Sequence, residues 1–328
     1  MSLPGEAENN LPGDAKKKQR VFVAGATGVL GTRAVRRLRE AGHDVTGVAR
    51  SDAKAELLEG LGATPVRVDL FDADAVRAAV AGHDVVCNLA TRIPPTAHAA
   101  RGAAWSDNDR IRREASRHLV DGALATGAGR FVQESITFLY ADAGERWIDE
   151  DDPIDAPAFT RSTLEAQAQA ERFTASGGTG VVLRFALFYG PDSHHTLDAV
   201  RLARRHLAAT FGRRDAYLSS ITTDDAATAV VAALDAGAGI YNVADDEPQT
   251  RKEHFDALAR ALGVRGPRFA PAAARKLGGA KTEMLARSQR VSNERFKKET
   301  GWAPRYTSAR EGWPAVVAAI ENGERTDA

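Results

Sequence analysis

The sequence predicts an α/β chain built on a doubly wound parallel sheet. Short apolar segments alternate with amphipathic ones through most of its length, as layered strands and helices do. The first apolar segment, Arg20-Val21-Phe22-Val23-Ala24, turns through Gly25, Gly28 and Gly31 into a helical pattern at Val35 and Leu38. Asp69 and Asn88–Thr91 close two further apolar segments, at the carboxyl ends where ligands gather in open α/β sheets.

Taken in order, residues 1–18 are polar, with Pro, Gly, Asn and the run Lys16-Lys17-Lys18, and read as a flexible tail. Strand one is Arg20–Ala24, followed by a helix from Val29 to Ala41 that Gly42 stops. His43–Arg50 reads as the second strand, Ala53–Leu61 as a helix and Thr64–Leu70 as the third strand. Asp74–Ala81 is helical and Asp84–Ala90 is the fourth strand. Arg92–Trp105, with Pro94-Pro95, reads as a loop bordering a cleft, and Asp107–Ala125 as a helix through Ile111, Ala115 and Leu119. Arg130–Ile136 is the fifth strand, Thr160–Thr174 a helix and Val181–Phe185 the sixth strand. Beyond Gly190-Pro191 the pattern loosens: Leu197–Phe211 and Thr223–Leu234 read as helices, Tyr217–Ile221 and Ile240–Val243 as extended, and His254–Leu262 as a helix. No internal repeat is visible.

The glycine turn carries the chemistry. A side chain there would block a pyrophosphate, and the helix N-terminus behind it offers free N–H groups and a favourable dipole. Gly25, Thr27, Gly28, Val29, Leu30 and Gly31 are therefore candidate cofactor-binding residues for a dinucleotide. The second strand ends in Arg50-Ser51 where a carboxylate would accept the ribose hydroxyls of NAD. A guanidinium and a hydroxyl suit a 2′-phosphate, so NADP is expected and NAD is the alternative; Asp52 works against that preference.

Composition narrows the field. Lys plus Arg and Asp plus Glu both number 44 among 328 residues, which gives no support to nucleic-acid binding. The single cysteine, Cys87, leaves no intrachain disulfide or thiolate cluster, and no metal set is expected. No apolar run is long enough to span a bilayer, and the N-terminus lacks the apolar core of a secretion signal. A cytoplasmic location and a small-molecule partner are expected.

Further landmarks occur in order: Asp69-Leu70; Asn88-Leu89-Ala90; Arg184-Phe185-Ala186-Leu187-Phe188-Tyr189-Gly190-Pro191; Thr222-Thr223-Asp224-Asp225-Ala226-Ala227; Tyr241-Asn242-Val243; and Thr300-Gly301-Trp302-Ala303-Pro304. With the glycine turn, they make residues 20–313 resemble an extended short-chain dehydrogenase/reductase of the NAD-dependent epimerase/dehydratase class. The resemblance implies a Rossmann-type body over 19–190 and a smaller C-terminal substrate lobe over 191–328, with 219–243 returning to the body. It implies that Asp69 and Leu70 hold the adenine, that Leu89, Ala90 and Thr91 line the cofactor, and that the protein forms a homodimer.

The catalytic positions depart from this family. Its members carry a serine or threonine after the fifth strand, then Tyr-x-x-x-Lys on the next helix. The tyrosine exchanges a proton with the substrate while nicotinamide exchanges hydride, and the lysine lowers the tyrosine pKa. With Tyr140 on the family's post-strand tyrosine, Ile136 stands at the hydroxyl position and Ser135 one residue earlier. Phe159 and Thr163 occupy the Tyr and Lys spacing, and neither does that chemistry. Tyr140, Ser135 and Glu134 are the remaining candidates for handling a proton. His194, His195, Arg213 and Arg214 are candidate substrate-binding residues. The expected function is an atypical NADP-binding oxidoreductase for a small organic or sugar-derived substrate. The alternatives are a redox-neutral epimerase or dehydratase that keeps its cofactor, and a non-catalytic dinucleotide sensor.

Overall fold

A computed structural model describes residues 17–94, 102–270 and 279–326. Residues 1–16 of the expected tail and residues 95–101 of the expected cleft loop lie outside these. Lys18, at the edge of the described chain, pairs with Asp44 at 2.9 Å.

The first half alternates as the sequence predicts: β1 (Arg20–Ala24), α1 (Val29–Glu40), β2 (Asp44–Val48), α2 (Asp52–Gly60), β3 (Thr64–Val66), α3 (Ala73–Val80) and β4 (Val85–Asn88). A helical run follows as α4 (Ser106–Arg110), a π-helical turn (Ile111–Ala115) and α5 (Ser116–Thr126). Then come β5 (Arg130–Ile136), β6 (Trp147–Ile148), α6 (Arg161–Ala175), β7 (Thr179–Phe185) and β8 (Leu187–Tyr189). The remainder is α7 (His194–Arg204), β9 (Tyr217–Leu218), β10 (Ser220–Thr222), α8 (Thr223–Ala232), β11 (Gly239–Val243), β12 (Gln249–Thr250), α9 (Arg251–Ala261), α10 (Gly279–Leu285), β13 (Arg290–Val291), α11 (Glu294–Thr300) and α12 (Ala309–Thr326).

Seven strands form one parallel sheet in the order β11-β7-β5-β4-β1-β2-β3. The chain winds outward from β1 to β3, then restarts at β4 on the other side of β1. The crevice between the ends of β1 and β4 is therefore the topological switch point, where an open sheet binds ligand. Each central strand is buried on both faces, and its side chains alternate between two cores. Val21, Val23, Val85 and Cys87 join the core beneath α1 and α8. Phe22, Val86, Phe131 and Val182 join the core beneath α3, α5 and α6. The fold is thus the doubly wound sheet the sequence predicts, with a smaller C-terminal region beside it.

That region has its own apolar core of Val200, Leu218, Phe255, Leu258, Trp313, Val317 and Ile320, drawn from α7, β9, α9 and α12. Short pairings stitch it to the body: β10 runs parallel to β8, and β13 parallel to β6. Thr222 caps α8 by accepting from the Asp225 amide, and Thr250 with Glu253 forms a capping box on α9. Among the described residues, no helix is long and apolar enough to cross a membrane.

Just after β11, Asp245 is 1% exposed. Its amide donates to Ser220 O at 2.8 Å, and its carboxyl accepts from Ser220 Oγ at 3.1 Å. Burial raises its pKa well above the usual carboxylate value; the Ser220 hydroxyl opposes this, while the charges of Asp225 and Asp246 add to it. Stability from such a group is fully present below the unfolded pKa and is lost as pH rises through the raised folded one. Asp245→Asn is expected to raise the midpoint of thermal unfolding by about 2–4 °C at neutral pH. The gain should shrink as the pH falls toward about 4, near the unfolded value. Thermal scans across that range check both effects.

Candidate functional site

The turn between β1 and α1 is tighter than its composition alone suggests. Gly25 has φ +80°, and a Cβ there would lie 2.6 Å from the Leu89 and Ala90 backbone. A Cβ on Gly31 would lie 2.0 Å from Gly25 O. Gly28 is the N-cap of α1, with no side-chain cap and no acidic residue in the first turn. The helix N-terminus thus keeps its positive end free of any neutralising side chain, the arrangement an anionic group requires. Thr27 and Val29 are half-buried at the rim, and Leu30 is buried behind it. Arg33, one turn further, donates to Val29 O at 3.2 Å and pairs with Asp192 at 2.7 Å and Asp224 at 3.4 Å. It ties α1 to the loop after Gly190-Pro191 and to α8.

The exit of β4 closes the other wall. Leu89 N donates to Ala24 O at 3.0 Å, and Ala90 N to the Asn88 side chain at 3.3 Å. Leu89 and Ala90 are buried and Thr91 is exposed. Past the end of β2, Arg50 is exposed, while Ser51 is the N-cap of α2 and accepts from the Lys54 amide at 3.4 Å. Asp52, the first residue of α2, pairs with Arg67. Asp69 accepts from the Phe71 amide at 3.0 Å, and Leu70 O accepts from His118 Nδ1 at 3.1 Å, which fixes the loop after β3 against α5.

The proton-handling candidates lie in two buried networks. Glu134 and Ser135 are consecutive on β5 and point to opposite faces. Glu134 pairs with Arg112 at 3.4 Å; both residues are 5% exposed. Arg112 also donates to Thr163 Oγ1 at 2.5 Å. A guanidinium–carboxylate pair therefore stands against Thr163, the residue at the spacing where the sequence leads one to expect a lysine. Ser135 Oγ accepts from Gln167 at 2.6 Å, and Gln167 Oε1 accepts from Arg184 at 2.9 Å. Arg184 also donates to the Tyr140 hydroxyl at 2.8 Å, and that hydroxyl donates to Asn242 Oδ1 at 2.8 Å. Tyr140 is 0% exposed. Burial pushes its phenol above the ordinary tyrosine value, and the Arg184 charge only partly opposes this. The expectation of Tyr140 as a replacement acid thus meets an obstacle: its hydroxyl is committed inside the protein at both ends.

Arg112 was not singled out from the sequence. Its contacts reach 22 and 51 residues along the chain, and only the sheet brings them together. The π turn it occupies joins a helical run that docks on α6 through three polar links. Asp109 accepts from Ser162 at 2.6 Å, Arg112 reaches Thr163, and Arg113 pairs with Glu165 at 2.9 Å. Asn108 Oδ1 accepts from the Arg92 amide at 2.9 Å, so α4 lies between the β4 exit and the start of α6. π turns of this kind recur at functional sites.

The substrate-side candidates are dispersed. His195 donates from Nε2 to Phe188 O at 2.6 Å, and its Nδ1 lies 2.8 Å from Ser193 Oγ, which closes the first turn of α7. His194 is exposed. Arg213 forms a bidentate pair with Asp215 at 2.9 and 2.6 Å, and Arg214 is exposed beside it.

Comparison with known proteins adds relatives to this geometry. The model of the NAD dependent epimerase/dehydratase family matches residues 21–244. A 3-diazoavenalumate denitrifying reductase of a Streptomyces species is 36% identical over 311 residues, 89% of this chain and 98% of its own. A 2-alkyl-3-oxoalkanoate reductase of Shewanella oneidensis is 29% identical over 289 residues, 80% of this chain and 71% of its own. The UDP-glucose 4-epimerase of Thermus thermophilus, in complex with NAD, matches with a TM-score of 0.75 at 21% identity, covering 92% of this chain and 99% of that one. MoeE5, in complex with UDP-glucuronic acid and NAD, matches with a TM-score of 0.73 at 20% identity, covering 93% and 99%.

These findings correct the expectation of NADP. Both of these solved structures of the same fold are complexes with NAD. Within this chain, the Ser51 hydroxyl read as a phosphate ligand caps α2 instead, and a carboxylate follows it at Asp52. Together with the family description, they stand closer to the redox-neutral alternative than to the NADP-dependent oxidoreductase expected first. The matched family spans the sheet, the glycine turn and the return of the chain through β11, and this protein belongs to the NAD dependent epimerase/dehydratase family.

Proposed function

We propose that this chain holds NAD and serves hydride transfer to a small organic acceptor that needs no proton from the protein. The observation that carries the reading is the content of the catalytic positions: Phe159, Thr163 and a self-neutralised Arg112–Glu134 pair. Bound NAD, in its reduced form, supplies the hydride. The turn Gly25–Gly31, with Thr27, Gly28, Val29 and Leu30, holds the pyrophosphate. Asp69 and Leu70 border the adenine, Arg50 and Ser51 the adenosine ribose, and Leu89, Ala90 and Thr91 the nicotinamide side. Tyr140, Ser135 and Glu134 act as buried scaffold. His194 and Arg214, exposed and cationic or polar, suit a carboxylate on the substrate.

A carbonyl acceptor requires a proton on oxygen as hydride arrives at carbon, so it needs the acid that is missing here. A diazonium group does not. Hydride forms the new C–H bond, the C–N bond breaks with its electron pair leaving on N2, and no proton enters the balance. The denitrifying reductase carries a diazo substrate in its name, and it is 36% identical across nearly the whole chain. We therefore take the acceptor class to be a small organic acid whose diazo group is presented as a cationic diazonium. The second reading, redox-neutral epimerisation or dehydration with NAD retained, is favoured by the family description. It requires a base at the substrate hydroxyl, the group Phe159 replaces.

Two outcomes are expected. With NADH and an arenediazonium salt, the protein should consume reduced cofactor and release N2 in equal amounts. The product hydrogen should come from NADH deuterated at the transferring position, and none from D2O. Solvent deuterium at the new C–H bond, or turnover of a sugar nucleotide without net loss of NADH, would overturn the reading in favour of the second. In addition, Gly31→Ala should weaken NAD binding in a fluorescence titration by about a hundredfold or more, because its methyl group meets Gly25 O. Circular dichroism should show the helical content unchanged. Unaltered affinity would remove the turn from the cofactor site.

A further inference from the structure

We propose that Asp109 is the group that recognises the positive charge of the substrate, an inference that rests on the cationic acceptor argued above. Carboxylates around this cleft are mostly committed to cations. Asp107 pairs with Arg92 at 3.0 Å, Glu114 with Arg110 at 3.0 Å, Glu165 with Arg113 at 2.9 Å, and Glu134 with Arg112 at 3.4 Å. Asp109 differs. Among the described residues no cation lies within 4 Å of it, and its side chain accepts from a neutral donor, Ser162 Oγ, at 2.6 Å. It is half-buried, so its charge is incompletely solvated.

Its place is set from both sides. The Asn108 side chain grips the Arg92 amide just past the exit of β4. Ser162 lies three residues after Phe159, one turn along the start of α6, in the segment that replaces the family's proton donor. A carboxylate with no cationic partner among the described residues thus stands where α4 meets the start of α6, just past the turn that carries Phe159. A small organic cation fits such a carboxylate, whose charge no described cation offsets. Hydride transfer destroys the substrate's charge. The carboxylate therefore stabilises the bound substrate more than the transition state, and its removal weakens binding without slowing the chemical step.

The experiment compares two ligands of one shape on the NAD-loaded protein, where no hydride is present: an arenediazonium and the corresponding aryl nitrile, its neutral isoelectronic analogue. Asp109→Asn should weaken diazonium binding by about tenfold or more and leave nitrile binding within about twofold. Asp109→Glu should retain most of the preference. Equal weakening of both ligands would mean that Asp109 only steadies the start of α6, and no weakening of either would mean that it faces elsewhere; both results overturn the proposal. Turnover by the unaltered protein is scored separately. If NADH reduces no diazonium, the proposed reaction falls while the binding comparison still decides the role of Asp109.

Discussion

The contact on which the rest of the structure depends is the approach of the first turn to the exit of β4. Gly25, in a left-handed conformation, lies so close to the Leu89–Ala90 backbone that no side chain fits between them. This closeness sets the width of the crevice at the switch point. Beside it, the N-terminus of α1 is left without a side-chain cap, an omission that costs about 1 kcal/mol of helix stability in an ordinary helix. Arg33 then carries the same geometry outward. It joins α1 to Asp224 on α8 of the body and to Asp192, just before α7 of the C-terminal region.

Two buried polar networks flank that crevice, and they differ in kind. The network from Ser135 to Asn242 runs through Gln167, Arg184 and Tyr140, and it ties β5, α6, β7 and β11 together by hydrogen bonds. The Arg112–Glu134 pair is ionic and nearly fully buried. A buried pair adds little net stability, but removing one partner strands a charge, at about 3–5 kcal/mol. Each member therefore fixes the other. The pair thus places two buried, mutually held charges beside Thr163.

The parts of this arrangement visible in the sequence were those with local periodicity. Central strands were legible because both faces are buried, so Val21–Ala24 and Val85–Cys87 are continuous apolar runs. β3 was expected to reach Leu70 but ends at Val66, because it is an edge strand with a single neighbour and the chain bends into the turn that Asp69 closes. The helix expected at Leu197–Phe211 is α7, from His194 to Arg204; the positive φ of His206 marks where its path breaks. The pairing of β6 with β13 left no trace, since two-residue strands have no period and their partners are far apart in sequence. In the site, the glycine turn was legible because a backbone constraint dictates residue type. Arg112 and Asp109 were not, because their meaning lies in contacts across the fold. Ser51 was misread for the same reason: a hydroxyl at a strand end and a hydroxyl at a helix cap look alike until the helix is placed.

A site of this kind constrains its reaction through charge rather than through acid–base chemistry. Where a proton must move in step with hydride, the protein has to hold a group near its own pKa, exposed to the reacting atoms. Tyr140 is fully buried with its phenol pKa raised by that burial, Thr163 hydrogen-bonds to a guanidinium, and Phe159 has no proton to give. Such a site does best with an acceptor whose electron demand is already complete as a cation, and the remaining task is to place that cation against nicotinamide. Positioning needs shape and a counter-charge, and neither depends on a Tyr–Lys pair. On this view Phe159 and Thr163 mark a change in which property of the substrate the protein reads, from the acidity of a hydroxyl to the charge of a leaving group.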